Sequence, residues 1–325
     1  MPATVPGRKR DMAAPPARIL VTGASGFVGR HLTAALSAAY PDARLITHRI
    51  DLRDAPAIAA AIRDAAPEIC IHLAAVSTVA AATQDEDRAW QVNLHGSLHL
   101  AHAILRHAPH CVMLFVSSSD AYGSSFRTGL RVTEDTALAP MNVYGASKAA
   151  ADLALGSMAL QGLRVVRLRT FNHTGPGQSA AFVVAAFARQ IARIAAGLQP
   201  PSLLVGNLDT WRDFLDVRDV CRAYLACIVH RDELAPGTIL NLASGEAHRI
   251  GDVLHALCDL AGLDVAVQID PSRVRATDLR VACGDATRAR EMLGWTPARP
   301  WPTTLRDILD DWRTRIADET ERPGA

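Results

Sequence analysis

Lysine is almost missing from this chain of 325 residues. Of 34 basic side chains only two are lysine, Lys9 and Lys148, and the rest are arginine. Net charge is scarce too: 34 basic against 33 acidic residues leave a formal charge of +1. Without a broad positive field the chain is not built to neutralise a nucleic-acid backbone, and no nucleic-acid partner is expected. Aromatics are 5% of the residues within a hydrophobic content of 49%, so the core must be Ala, Val, Leu and Ile. No run approaches the roughly 20 uninterrupted apolar residues of a membrane span, so no membrane partner is expected. Residues 1–16 lack the apolar segment of a secretion signal and read as a disordered leader. Six cysteines, with no CxxC pair, suit reduced thiols in the cytoplasm better than a disulfide framework or a zinc site.

What is present alternates. Apolar runs at Arg18–Thr22, 43–47, Ile69–Leu73, Cys111–Val116 and Leu163–Leu168 are separated by helical patterns near 27–39, 54–65, 84–107 and 142–161. Such alternation predicts a parallel sheet covered on both faces. After Arg169 the texture changes to turns, a helix at about 180–197, a helix at 217–231 and a returning strand at Thr238–Leu242. Residues 17–170 with about 213–245 are therefore expected to form a doubly wound α/β domain of the Rossmann type. Residues 171–212 and 246–325 are expected to form a smaller α/β substrate domain.

Val21-Thr22-Gly23-Ala24-Ser25-Gly26-Phe27-Val28-Gly29 closes a strand and opens a helix. Glycines there permit a tight turn and close approach of a pyrophosphate to free helix N–H groups. Asp51-Leu52 can place a carboxylate on an adenine amino group. No acidic residue ends the second strand to grip a ribose 2′-hydroxyl; Arg49 stands there instead, which suits a 2′-phosphate and favours NADPH over NADH. Arg49 could equally be a solvated loop charge.

The one lysine outside the leader follows Tyr144 by four residues, in Tyr144-Gly145-Ala146-Ser147-Lys148. Positions i and i+4 share a helix face. A compact ammonium beside a phenol is expected to lower the phenol's pKa and to hold a ribose hydroxyl, which a bulky guanidinium would do poorly. Such a Tyr can exchange a proton with a carbonyl or carbinol. Ser117-Ser118-Ser119-Asp120-Ala121-Tyr122-Gly123 follows the fourth strand, at the edge where ligands bind such sheets, and Ser118 can hydrogen-bond the reacting oxygen. His95, His99 and His102 share a helix face, but partners with ligand spacing are absent, so no metal is expected.

These motifs, with His72-Leu73-Ala74-Ala75 and Asn93 near Gly96, resemble the extended short-chain dehydrogenase/reductases that act on nucleotide sugars. Arg169–Gln178, Val205–Asp209, Arg212–Asp219, Asp270-Pro271 and Gly294-Trp295 are similar to the family's GDP-mannose branch, which holds 4,6-dehydratases and 4-keto-6-deoxy reductases. The resemblance implies Ser118, Tyr144 and Lys148 as the catalytic set. It implies a cofactor site of Gly23, Ser25, Gly26, Phe27, Val28, Gly29, Arg49, Asp51, Leu52, Leu73, Ala74 and Ala75, with Tyr144 and Lys148. It implies a GDP-sugar site of Ser119, Asp120, Asn172, Val183, Arg212, Arg275 and Asp278, the arginines meeting the diphosphate. The dehydratases carry a glutamate where Asp120 stands; aspartate reaches about 1.5 Å less. The implied reaction is therefore NAD(P)H-dependent reduction of the C4 ketone of GDP-4-keto-6-deoxy-D-mannose, giving GDP-D-rhamnose or its C4 epimer GDP-6-deoxy-D-talose. A 4,6-dehydratase, or another nucleotide-sugar epimerase or reductase, stays open as an alternative. Relatives pair through helices matching 84–107 and 142–161, which implies a homodimer or a tetramer.

Overall fold

The computed structural model describes residues 14–273 and 279–321. Strand β1 (Arg18–Thr22) leads through the glycine turn into α1 (Phe27–Ala39), then β2 (Arg44–Ile46), α2 (Ala55–Ala65) and β3 (Ile69–His72). Three short helices follow: α3 (Val79–Gln84), α4 (Glu86–Trp90) and, after a π-helical turn at Gln91–His95, α5 (Gly96–His107). The chain then makes β4 (Val112–Val116), α6 (Val143–Ala159), β5 (Val165–Thr170) and β6 (Asn172–Thr174). The second part holds α7 (Val183–Ala195), β7 (Ser202–Val205), β8 (Trp211–Asp216), α8 (Val217–Val229), β9 (Ile239–Leu242), β10 (Ala247–Arg249) and α9 (Ile250–Ala261). It closes with β11 (Ala266–Ile269), β12 (Val281–Ala282), α10 (Thr287–Leu293) and α11 (Trp301–Glu321).

The main sheet runs β2-β1-β3-β4-β5-β9, all parallel. Its central strands are buried on both faces; Ile19, Leu20, Val21, Ile69, Cys70 and Ile71 have no exposed surface. This is why they read as unbroken apolar runs rather than alternating ones. Each such side chain contributes roughly 1.5–3 kcal/mol of burial. One core lies between the sheet and α1 and α8, the other between the sheet and α2, α5 and α6. The predicted Rossmann-type sheet is thus present, and the C-terminal ends of β1, β3 and β4 lie side by side.

A third core, with α7, α9 and α11 around Phe187, Leu254 and Trp312, holds the smaller part together. Its sheet order is β10-β8-β12, with β6 pairing β8.

The helix expected over about 84–107 is present as an unbroken run from Glu86 to His107, with α4 and α5 joined by the π turn. Asp85 ends α3 and caps α4 by accepting from the Arg88 N–H at 3.0 Å. The π turn then carries the buried Asn93, whose amide pairs with both backbone groups of Val76. Gly96 follows, where a Cβ would lie 2.6 Å from Leu52 Cβ. These contacts accompany a π turn within the helix and do not end it. No helix of the described residues is long and apolar enough to cross a membrane.

Candidate active site

The glycine turn fits a dinucleotide. Gly23 has φ +75°, a conformation costly for residues with a Cβ, and a Cβ there would sit 2.8 Å from the Ala74 N. A Cβ at Gly29 would run into the carbonyl oxygens of Gly23 and Ala24. Helix α1 begins at Phe27 with no side-chain cap and no acidic residue in its first turn, so its N–H groups are left for an anion. Ser25 and Gly26 are exposed, and Phe27, Val28, Leu73, Ala74 and Ala75 are half-buried around them. Sheet order places the Leu73–Ala75 segment directly beside this turn.

Beyond β2, Asp51 accepts from Arg53 Nε (3.0 Å) and Nη2 (2.7 Å), and the guanidinium holds its carboxyl well below the usual range. Leu52 is buried beneath them, and Arg49 is exposed close enough to Asp51 to stabilise its charge. Arg53 therefore joins Arg49 as a second basic group after β2. Its sequence signal, a basic residue two positions beyond Asp51, is weak without the fold. Arg30 was also missed: it ties Ser25 O (2.9 Å) to Gly177 O (3.1 Å), linking the glycine turn to the loop after β6. It directly follows the last glycine of the motif.

Ser118, Tyr144 and Lys148 come together at the C-terminal end of β4 and the first turns of α6. Asn142 caps α6 through the Gly145 N–H at 2.8 Å. A Cβ at Gly145 would lie 2.6 Å from Asp120 O, so glycine lets α6 press against the Ser119–Ala121 turn. Ser118 Oγ accepts from the Asp120 N–H at 3.1 Å, and its hydroxyl is near enough to the Tyr144 phenol to draw the phenol's pKa down. Ser119 is buried beside it, and the neighbouring Ser117 hydroxyl is buried without a hydrogen-bond partner.

The electrostatics correct one expectation. Lys148 was expected to lower the Tyr144 pKa. Burial instead pushes the phenol up to about 12, the Asp120 carboxylate adds to this, and only the Ser118 hydrogen bond opposes it. Lys148, 4% exposed, sits with Nζ 4.6 Å over the Phe115 ring, and burial pushes it down to about 8 against the pull of Asp152. Tyr144 thus keeps its proton at neutral pH, and Lys148 is the group near its titration point.

The proposed sugar-nucleotide residues are only partly gathered. β6 pairs with β8 so that Asn172 lies opposite Phe214, two residues from Arg212, and Asn172 Nδ2 donates to Asp213 O at 3.4 Å. Arg212 Nη1 donates to the Trp211 (2.9 Å) and Leu279 (2.8 Å) carbonyls. Val183 is an exposed residue at the start of α7. Arg275 and Asp278 lie outside the described residues. No group of three or more His, Cys, Asp or Glu able to hold a metal occurs among the described residues; His99 instead meets Leu52 O at 3.3 Å.

Comparison with known proteins finds relatives that span most of the chain. A model of the NAD dependent epimerase/dehydratase family matches residues 19–243. The chain is 40% identical to a GDP-6-deoxy-D-mannose reductase of Pseudomonas aeruginosa, over 93% of this chain and 99% of the relative. It is 28% identical to GDP-mannose 4,6 dehydratase 1 of Arabidopsis thaliana, over 81% of this chain and 73% of that protein. Among solved structures, RMD from Pseudomonas aeruginosa complexed with NADPH superposes with a TM-score of 0.84 at 37% identity, covering 92% of this chain and 99% of that one.

Proposed function

The chain belongs to the NAD dependent epimerase/dehydratase family, and we propose that within it the protein is an NADPH-dependent reductase of a GDP-sugar. The substrate is GDP-4-keto-6-deoxy-D-mannose, and the product is GDP-D-rhamnose, or GDP-6-deoxy-D-talose if the sugar presents its other face. The observation that carries this reading is the 40% identity to a GDP-6-deoxy-D-mannose reductase over 93% of the chain, together with Ser118 at the end of β4 beside Tyr144 and Lys148 at the start of α6.

Bound NADPH supplies the hydride that reduces C4. Tyr144, which holds its proton at neutral pH, delivers it to O4 as that oxygen becomes an alkoxide. Ser118 donates a hydrogen bond to the same oxygen and stabilises the charge as it develops. Lys148 orients the nicotinamide ribose through its ammonium. Arg49 and Arg53 suit the 2′-phosphate that distinguishes NADPH. Asn172, Val183 and Arg212 are assigned to the nucleotide sugar, Arg212 to its diphosphate; Arg275 and Asp278, which the resemblance adds to this site, lie outside the described residues. Ser119 and Asp120 border the sugar, and Asp120 is too short for the proton abstraction that a dehydratase glutamate performs.

Two further parts of the reading concern assembly and location. Helix α6 leaves Leu153 60% and Leu160 91% exposed, seven residues apart on one face, and a second copy of the chain packing there through α5 and α6 would cover them. All six cysteines are free and buried, in keeping with the cytoplasm.

The deciding experiment mixes the purified protein, NADPH and the ketosugar, follows loss of nicotinamide absorbance, and identifies the product by NMR. Stoichiometric NADPH oxidation with a C4 carbinol product is expected. No oxidation, together with conversion of GDP-mannose by catalytic NADP, would turn the reading to a dehydratase.

A further inference from the structure

His72 has no part in the reaction described, yet it is 1% exposed at the end of β3 and both of its ring nitrogens are engaged. Nδ1 is 2.7 Å from Thr22 Oγ1, on the strand that leads into the glycine turn. Nε2 is 3.0 Å from Ser97 Oγ, on α5. The two ends of this chain fix its proton order. Ser97 donates its hydroxyl hydrogen to Asn93 O at 2.7 Å, so Ser97 Oγ can only accept from His72 Nε2–H. Thr22 Oγ1 accepts the Ala74 N–H at 3.3 Å, so its own hydrogen goes to His72 Nδ1. A second ring proton would face a hydroxyl that already has a donor on its other side. The low-dielectric surroundings and the Lys148 charge oppose it too, holding the ring at about 3.

The chain does not stop at the ring. Asn93 accepts from the Val76 N–H (2.8 Å) and donates to Val76 O (3.1 Å) and Ser147 Oγ (3.0 Å). Ser147 donates to Tyr144 O at 2.9 Å. One continuous run of hydrogen bonds therefore joins the strand before the phosphate turn, the loop that a Gly23 side chain would strike, and the first turn of the helix carrying Tyr144 and Lys148. Every member is buried or half-buried, where hydrogen bonds are strong and an unpaired group is costly.

We propose that His72, held as the Nε2-protonated tautomer, is a positioning residue that fixes the cofactor cradle relative to the Tyr144 helix. Breaking the run on either side of the ring then loosens both cofactor binding and turnover. The turnover half rests on the reductase reading above; the binding half does not.

The test compares Ser97→Ala, His72→Leu and Thr22→Ser in the full chain, measuring NADPH affinity by the cofactor's fluorescence, kcat with the ketosugar, and melting temperature. Ser97→Ala and His72→Leu should each weaken NADPH binding and lower kcat by about tenfold, because small misplacements of reacting groups are costly. Thr22→Ser keeps the hydroxyl and should match the unaltered chain. Lowered melting temperatures with unchanged NADPH affinity and kcat would overturn the proposal, since that is the behaviour of a packing residue. Should His72→Leu not fold, Ser97→Ala decides by the same two outcomes. Should the unaltered chain bind NADPH but leave the ketosugar untouched, the reductase reading fails, and the NADPH titration still decides the role of His72.

Discussion

Two charged groups one helical turn apart on α6 have opposite surroundings. Asp152 has no exposed surface, and its carboxylate accepts from Arg167 Nη1 and from Arg169 Nε and Nη2, each at 3.1 Å. Arg169 goes on to donate to Tyr122 Oη (3.0 Å) and Glu134 O (2.9 Å), and Tyr122 donates to Asn241 Oδ1 at 2.7 Å. Around Asp152 the buried polar atoms have partners. Lys148 is almost as deeply buried, but among the described residues no carboxylate forms an ion pair with it; the nearest one on its own helix is already held by two arginines. A complete buried network stabilises a fold and specifies its packing. A buried charge left short of partners is destabilising, and such groups cluster where chemistry uses them. The first region therefore reads as scaffold and the second as the working site.

Substitutions can break that division. The largest effect is expected from Tyr144→Phe, which removes the proton donor and keeps the ring. Turnover should fall about a thousandfold. The melting temperature should barely move, since one hydroxyl bond contributes only about 1 kcal/mol. If Tyr144→Phe keeps its activity, the two regions are not divided as proposed. The opposite profile is expected from Asp152→Ala. It strands two buried guanidinium groups and should cost about 3 kcal/mol in urea unfolding. At temperatures where the variant is folded, its NADPH affinity should be near that of the unaltered chain. A stable Asp152→Ala protein would show that the network adds little to the fold.

How much of this was legible in the sequence follows the same division. The glycine turn and the Tyr144–Lys148 pair are contiguous in the chain, so spacing alone exposes them. The central strands were legible because burial on both faces makes their middle positions apolar, as at Ile19–Val21, Ile69–Ile71 and Val112–Phe115. The π turn within the 84–107 helix was not, because its contacts are with Val76 and Leu52, which lie outside that helix. The Tyr144 pKa was misjudged for a related reason. Burial first and the Asp120 carboxylate second raise it, and neither can be read from the neighbour four residues along the helix. The Arg212–Asp219 stretch, read as a sugar-nucleotide signature, is in good part scaffold. Asp213 anchors the Ser244–Gly245 turn, Asp216 binds Arg218 and Thr304, and Asp219 holds the Trp295–Arg299 segment. These aspartates therefore serve the fold, and within the stretch Arg212 keeps its candidate ligand role.

The subtlest contrast between the two regions is in their response to pH. From β3, the group facing Lys148 is His72, held neutral by its hydrogen bonds; from β4 it is the Phe115 ring; from α6 itself they are Tyr144, at about 12, and the arginine-bound Asp152. Lys148, at about 8, is then the one group of this set that changes charge near neutrality. The expected kcat/KM for NADPH, which reports the free enzyme, is level below about 8 and falls about tenfold per pH unit above it. Stability should run the other way. The Lys148 pKa is lower folded than its ordinary 10.5, so between the two values the unfolded chain holds more protons, and the folded state gains as pH rises. Measured against Lys148→Met, which cancels the contribution of every other titrating group, the unaltered chain should become relatively more stable from about pH 8 upward while its activity declines. Lys148→Arg, which keeps its charge to far higher pH, should lose the alkaline fall in whatever activity it retains. An unchanged alkaline limb in that variant would assign the titration to another group and remove the basis for treating Lys148 as the working charge.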